Sequence, residues 1–156
     1  MKKIIYFFIF TFFFSIISYA DEKKIKVIDG DTIHIGKHKY RFFGIDAPET
    51  KQICQKDNIK IQCGVIAKDI LKNKIADKIP ECILKERDRY QRLVAECFIG
   101  KESLSKFMVR EGYAVSYFQY YKDFIEDEKY AKQNKLGIWS MNFQIPSEYR
   151  KSLRSK

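Results

Sequence analysis

The sequence predicts an α+β fold: a five-stranded small β-barrel with three helices packed against it. Apolar residues alternate with period two through residues 33–45, and again through 82–86 and 93–99. Elsewhere they recur at helical spacing in three further segments, so the order is three strands, a helix, two strands and two helices. The chain has 156 residues, a length that fits one domain with a real core, and it shows no internal repeat or low-complexity segment.

The first element is a targeting signal. Met1-Lys2-Lys3, an apolar run from Ile4 to Tyr19, and Ser18-Tyr19-Ala20 before Asp21 supply the basic start, greasy middle and small-residue cleavage site of a secretory leader. The run is shorter than the roughly 20 residues that span a bilayer. Cleavage after Ala20 is expected, while the bulky aromatic and β-branched middle leaves a retained membrane anchor as the alternative. Removing residues 1–20 leaves 136 residues and lowers the net charge from +10 to +8. A basic exported domain favours polyanions through long-range attraction and counterion release. The same charge also serves plain solubility.

The strands come next. Ile33, Ile35, a turn at Gly36-Lys37, then Tyr40, Phe42 and the run to Ile45 predict a hairpin. Ala47-Pro48 ends the third strand, because the residue before a proline is pushed to extended geometry and proline cannot donate to a ladder. Cys82 to Glu86 and Leu93 to Ile99 predict a second hairpin around Asp88 to Arg92. If Cys82 faces Cys97, then Leu84 faces Ala95 and Glu86 faces Leu93, which puts both cysteines, both leucines and the alanine on one face.

That register predicts a Cys82-Cys97 disulfide and leaves Cys54 with Cys63, closing a small loop after the acidic motif. All four cysteines lie in the exported part, where disulfides are favoured, and no C-x-x-C pair suggests a structural zinc.

Ile66, Ile70, Leu71 and Ile75 predict an amphipathic helix between Gly64 and Pro80. Leu104, Phe107, Met108 and Glu111 predict a second, stopped by Gly112. Asp123 with Glu126 suggests a capping pair for a third helix running to Leu136 and ending at Gly137, after which Ile138 and Trp139 fold back as a packing anchor. The domain is thus read as residues 21–141, followed by a basic C-terminal tail, 142–156, that is surface or loosely ordered.

The chemistry concentrates between Asp29 and Thr50, where Asp29, Asp31, Arg41, Asp46 and Glu49 sit among strand residues and turns. Acidic turn residues are usually just solvated. In this company, however, two hard oxygen ligands suit calcium or magnesium, a separate glutamate suits a general base, and an arginine offers a planar fork for phosphate. These are the parts of metal-assisted phosphodiester hydrolysis. His34 and His38 fall on the hairpin, away from the acidic residues, which argues against a histidine-based mechanism.

These residues stand in a wider pattern: V-I-D-G-D-T at Val27 to Thr32, R-F-F-G-I-D-A-P-E-T at Arg41 to Thr50, D-R-Y-Q-R at Asp88 to Arg92, V-R-E-G-Y-A at Val109 to Ala114, and K-L-G-I-W at Lys135 to Trp139. In this pattern, which covers nearly the whole chain after residue 24, the sequence resembles the staphylococcal (micrococcal) nuclease family, or thermonucleases. The resemblance implies an OB-fold of the nuclease type. It also implies that Asp31 and Asp46, with the backbone carbonyl of Ala47, hold one calcium ion, with Asp29 as a possible further partner. The family often has threonine at the Ala47 position, but a main-chain ligand survives that change. By the same resemblance Glu49 matches the general base, and Arg41 and Arg92 match the arginines that grip the scissile phosphate. Arg89 and Tyr90 match a basic residue and a tyrosine near the terminal phosphate of bound nucleotide. Tyr117 and Tyr120 are candidates for base stacking or phosphate contacts.

The expected function is therefore an exported, calcium-dependent, sugar-nonspecific nuclease acting on DNA and RNA and leaving 3′-phosphates. Magnesium or manganese stand as alternative metals. The expected protein is a monomer without an obligatory protein partner, periplasmic or secreted, and membrane-bound only through an uncleaved leader. The competing expectation is a catalytically weak nucleic-acid-binding module of the same fold, possibly tethered for DNA uptake or scavenging.

Overall fold

The computed structural model describes residues 24–117 and 122–155. The segment expected as a leader, residues 1–20, and Tyr120 lie outside the described residues. Alternation in the sequence becomes five strands of one sheet: β1 (Ile25–Val27), β2 (Thr32–Ile35), β3 (His38–Phe42), β7 (Glu81–Arg87) and β8 (Leu93–Ile99), in the order β1-β2-β3-β8-β7. All neighbours are antiparallel except β3 and β8, which run parallel with Tyr40 opposite Leu93 and Phe42 opposite Ala95. The short β9 (Glu102–Ser103) adds a sixth strand on β8.

The expected hairpin turns at Gly36-Lys37, where Gly36 has φ 56°. The run to Ile45 does not stay in one strand, however. A turn at Phe43-Gly44 breaks it, and β4 (Ile45–Asp46) instead pairs with β10 (Val115–Ser116). A further hairpin, β5 (Cys54–Lys56) with β6 (Ile59–Ile61), stands apart. Among the described residues the sheet therefore does not close into a barrel by hydrogen bonds, and the strands and helices outnumber the five and three expected.

Among the described residues there are four α-helices. In α1 (Cys63–Ile75) the buried stripe is Ala67, Leu71 and Ile75, at i, i+4 and i+8, with Ile66 and Ile70 only half-buried beside it. In α2 (Leu104–Arg110) the Ser103 hydroxyl accepts from the Lys106 amide, and the chain turns away at Gly112. The third helix, α3 (Ile125–Gln133), begins from Phe124 without a side-chain cap, so the expected Asp123–Glu126 capping pair is not formed. Gly137 opens a 3-10 turn through Ser140 that buries Ile138, and Trp139 packs edge-on against Phe143. The fourth helix, α4 (Pro146–Arg154), occupies the segment expected as a loose tail.

The main core lies between the sheet and α1 and α2: Ile33, Phe42, Ala95 and Cys97 meet Leu71, Ile75, Leu104 and Met108. A smaller cluster gathers Cys54, Cys63, Val115 and Ile138.

Both expected disulfides are formed, Cys54–Cys63 and Cys82–Cys97, and no cysteine is free. The expected register holds from Cys82 opposite Cys97 to Leu84 opposite Ala95. There a bulge at Lys85 shifts it, so that Glu86 faces Val94 and Arg87 faces Leu93. Ala95 and Cys97 are buried while Leu84 is exposed, so the shared face is buried on the β8 side only.

Candidate functional site

The Phe43-Gly44 turn and the start of β2 bring the acidic residues to one rim of the sheet. Asp29 sits in the loop before β2, where its Oδ1 accepts the Asp31 amide at 3.0 Å and so fixes the turn. Asp31 and Asp46 are each only 1% exposed. A single guanidinium spans them: Arg41 Nη1 pairs with Asp31 Oδ1, and Arg41 Nη2 donates to Asp46 Oδ1 at 2.7 Å. The other oxygen of Asp31 accepts the Ala47 amide at 2.6 Å, and the Thr32 hydroxyl donates to Oδ1 at 3.0 Å.

Buried charges survive here because they are paired and hydrogen-bonded. Burial pushes the Asp31 carboxyl well above the usual carboxylate range, against the pull of Arg41 and the Ala47 amide. Burial alone would weaken the Arg41 charge, but Asp31, Asp46 and Asp29 override it and hold the guanidinium above its ordinary value.

Glu49 stands at the edge of this group, half-buried, in a loop that the sequence shapes tightly. Gln52, fully buried, accepts the Glu49 amide at 3.3 Å through its side-chain oxygen, returns its own amide to the Glu49 carbonyl at 2.7 Å, and anchors on the Gln144 carbonyl at 2.6 Å. Gly64, in the first turn of α1, lies under that loop so closely that a Cβ would stand 1.8 Å from the Glu49 carbonyl oxygen. Only glycine lets α1 and the loop approach so closely.

Across a cleft of about 520 Å³ stands the tip of the β7–β8 hairpin. Asp88 organises it: Oδ1 accepts the amides of Tyr90 and Arg92, both at 2.9 Å, and Oδ2 accepts Arg92 Nε at 2.7 Å. These bonds, those from Arg92 foremost, outweigh burial and hold the Asp88 carboxyl below its usual value. The guanidiniums of Arg89 and Arg92 flank the exposed Tyr90 ring at 5.1 and 5.6 Å. Arg89 foremost, with help from Arg154, lowers the Tyr90 phenol.

Tyr117 lines the same cleft, its amide donating to the Gly44 carbonyl at 2.8 Å. Arg41, Glu49, Arg89, Tyr90, Arg92 and Tyr117 thus come together around one space, while Asp31 and Asp46 lie buried beside it, joined to it through Arg41, with Ala47 next to them. His34 and His38 stay on β2 and β3, with burial and then Lys39 and Lys26 lowering His34.

Two further arginines, missed in the sequence, come from α4. Arg150 Nη1 donates to Asp46 Oδ1 at 2.8 Å and to Glu49 Oε1 at 2.9 Å, while Nη2 reaches Asp46 Oδ2 at 2.9 Å. The hydrogen bonds and charges of Asp46 and Glu49 hold Arg150 above its ordinary value, against burial. Arg154, one turn on, lines the cleft near Tyr90. A signal for α4 was present: Pro146 at the first helical position, Glu148 in the first turn and Lys151 and Arg154 in the last read as a helix. Gln52 carries no comparable mark in the sequence.

The donor set fits a hard cation: Asp31 and Asp46 are buried oxygen donors close enough to share one guanidinium, with no sulfur or imidazole beside them. Among the described residues no group of three or more acidic, histidine or cysteine side chains is poised as a ready cage. Any metal there would rely on these two carboxylates together with main-chain or substrate oxygens.

A family model described as staphylococcal nuclease homologue matches residues 39–141. The chain is 34% identical over 130 residues to the protein named Thermonuclease of Staphylococcus hyicus, covering 76% of this chain and 75% of that one. It is 29% identical over 151 residues to an uncharacterized endonuclease of Haemophilus influenzae, covering 88% and 80%. It is also 34% identical over 146 residues to Endonuclease YhcR of Bacillus subtilis, covering 80% of this chain but only 12% of that much longer protein. With a family model matching residues 39–141 and 34% identity to a thermonuclease over 76% of the chain, the chain belongs to the staphylococcal nuclease family.

Proposed function

We propose that this protein is an exported, metal-dependent nuclease that hydrolyses phosphodiester bonds of DNA and RNA without sugar preference, with calcium as the first-choice ion and magnesium or manganese as alternatives. The carrying observation is the meeting of Asp31, Arg41, Asp46 and Glu49 at one rim that faces Arg92 across a basic cleft. The relatives named thermonuclease and endonuclease support the same chemistry. Pairing of all four cysteines supports export to an oxidising compartment, with residues 1–20 as the leader.

In this mechanism Arg41 and Arg92 hold the phosphate from two sides of the cleft, each keeping its full charge throughout. Glu49, on its Gln52-braced loop, takes the proton of the attacking water as the new oxygen–phosphorus bond forms. The bond to the 5′-oxygen breaks, that oxygen gains a proton from solvent, and the phosphate stays on the 3′ side. Asp31, Asp46 and the Ala47 carbonyl would hold the divalent cation, which when bound offsets negative charge growing on the phosphate. Tyr90, Arg89 and Tyr117 line the cleft as substrate contacts, and Asp29 serves chiefly to set the turn that presents Asp31.

The test is cleavage of single-stranded DNA and RNA by the oxidised 21–156 chain with calcium, with magnesium and with chelator, beside Glu49→Gln. Metal-dependent cutting of both substrates that falls in the variant by about 10²-fold or more is expected. Tight, salt-sensitive binding without cutting in any metal would replace this reading with a nucleic-acid-binding module.

A further inference from the structure

We propose that Arg150 is a place-holding cation whose grip on Asp46 and Glu49 sets the threshold at which a divalent cation enters the site. The inference rests on the metal-dependent reading above and adds to it a positioning residue on an element outside the nuclease motifs. Three observations carry it.

The first is occupancy. Arg150 engages both oxygens of Asp46, at 2.8 and 2.9 Å, while Arg41 already uses one of them. A hard cation on Asp46 needs at least one of these oxygens in direct coordination, and it would meet a fixed positive charge at close range in a half-buried place. Arg150 and the ion therefore compete for the same carboxylate.

The second is that the same nitrogen which holds Asp46 also donates to Glu49 Oε1 at 2.9 Å. A base so engaged has an oxygen committed to a guanidinium, so one contact covers both a metal ligand and the proton acceptor.

The third is how lightly the helix is held. Within α4 only Pro146 is buried, and Leu153 is 54% exposed. The helix also meets the acidic loop where the Tyr149 hydroxyl donates to the Lys51 carbonyl at 3.3 Å. Moving Arg150 away costs little apolar burial, so the exchange is decided by the competition for carboxylates. Linkage then requires that the ion loosen α4 as much as α4 opposes the ion.

The test is calorimetric titration of the oxidised 21–156 chain with calcium chloride, without nucleic acid, for the wild type, Arg150→Gln and Arg150→Lys. Arg150→Gln should bind calcium about tenfold or more tightly than the wild type, with Arg150→Lys between them. Calcium should also raise the Tm of Arg150→Gln by more than it raises that of the wild type. A second measurement needs no variant: calcium added to the wild type should speed hydrogen exchange of the amides of residues 147–154.

Equal or weaker calcium binding by Arg150→Gln, or unchanged exchange in α4 at saturating calcium, would overturn the proposal and leave the metal-dependent reading standing. If no form binds calcium, magnesium or manganese, that reading falls and the place-holder falls with it.

Discussion

The two sides of the cleft are built in opposite ways. On the β-rim, Asp31 and Asp46 are almost fully buried and share the Arg41 guanidinium, with Arg150 also holding Asp46. On the hairpin tip, Arg92 is 29% exposed, Tyr90 is 58% exposed, and order comes from local hydrogen bonds to Asp88 within a five-residue turn. The rim therefore makes its functional groups part of the fold, whereas the tip carries functional groups that the fold does not need. Stability and activity should fail together on one side and separately on the other.

The largest effect is expected at Arg41. Arg41→Lys replaces a fork that spans two buried carboxylates with a single ammonium, leaving one of them poorly paired. Unfolding free energy should drop by about 3 kcal/mol, with turnover falling alongside it. Chemical denaturation and single-turnover kinetics on the same preparation give both numbers. Arg92→Lys should lower turnover more than nucleic-acid affinity while leaving stability within about 0.5 kcal/mol, as for a surface change. Equal stability losses in the two variants would erase the contrast.

Gly64→Ala tests whether the rim extends to Glu49. The new methyl must displace either α1 or the Glu49 carbonyl, because the space is already filled by backbone. A stability loss of about 1–3 kcal/mol is expected, together with slower turnover at nearly unchanged binding of nucleic acid. A stable variant with full activity would show that Glu49 does not depend on that packing.

The same contrast explains what was legible in the sequence. The rim motifs could be read because their residue types are chemically unusual for strand ends: paired aspartates, a glutamate and an arginine among alternating apolar residues. The disulfides followed from hairpin register, and the bulge at Lys85 did not, since nothing in the side chains of Glu81–Arg87 announces an inserted residue. The break at Phe43-Gly44 was hidden by continuous apolar character on both sides, although Gly44, at φ 74°, is the residue that permits the turn. Arg150 went unread for a different reason. A basic residue near a chain end looks solvated until the tertiary fold shows which carboxylates lie opposite it.

The smallest effect should come from Asp88, and it separates tip from rim by pH. Its carboxyl is held below the usual value, so its hydrogen bonds to Tyr90 and Arg92 contribute stability that is present above its unfolded pKa of about 3.9 and is lost as pH falls through the lower, folded value. The sign follows from the folded state binding the proton less readily than the unfolded chain. Asp88→Asn removes this acid-side dependence but keeps a side-chain oxygen able to accept the turn amides. The variant should therefore lose only a few tenths of a kcal/mol at pH 7, and the stability difference from wild type should shrink toward acid pH. Its activity should fall more than its stability, because Arg92 loses a charged partner at 2.7 Å that aims its guanidinium. Denaturation curves at pH 7 and at about pH 2, below the unfolded pKa, set beside turnover at pH 7, decide the point. A difference from wild type that grows with acid would mean that Asp88 is not the group ordering the tip.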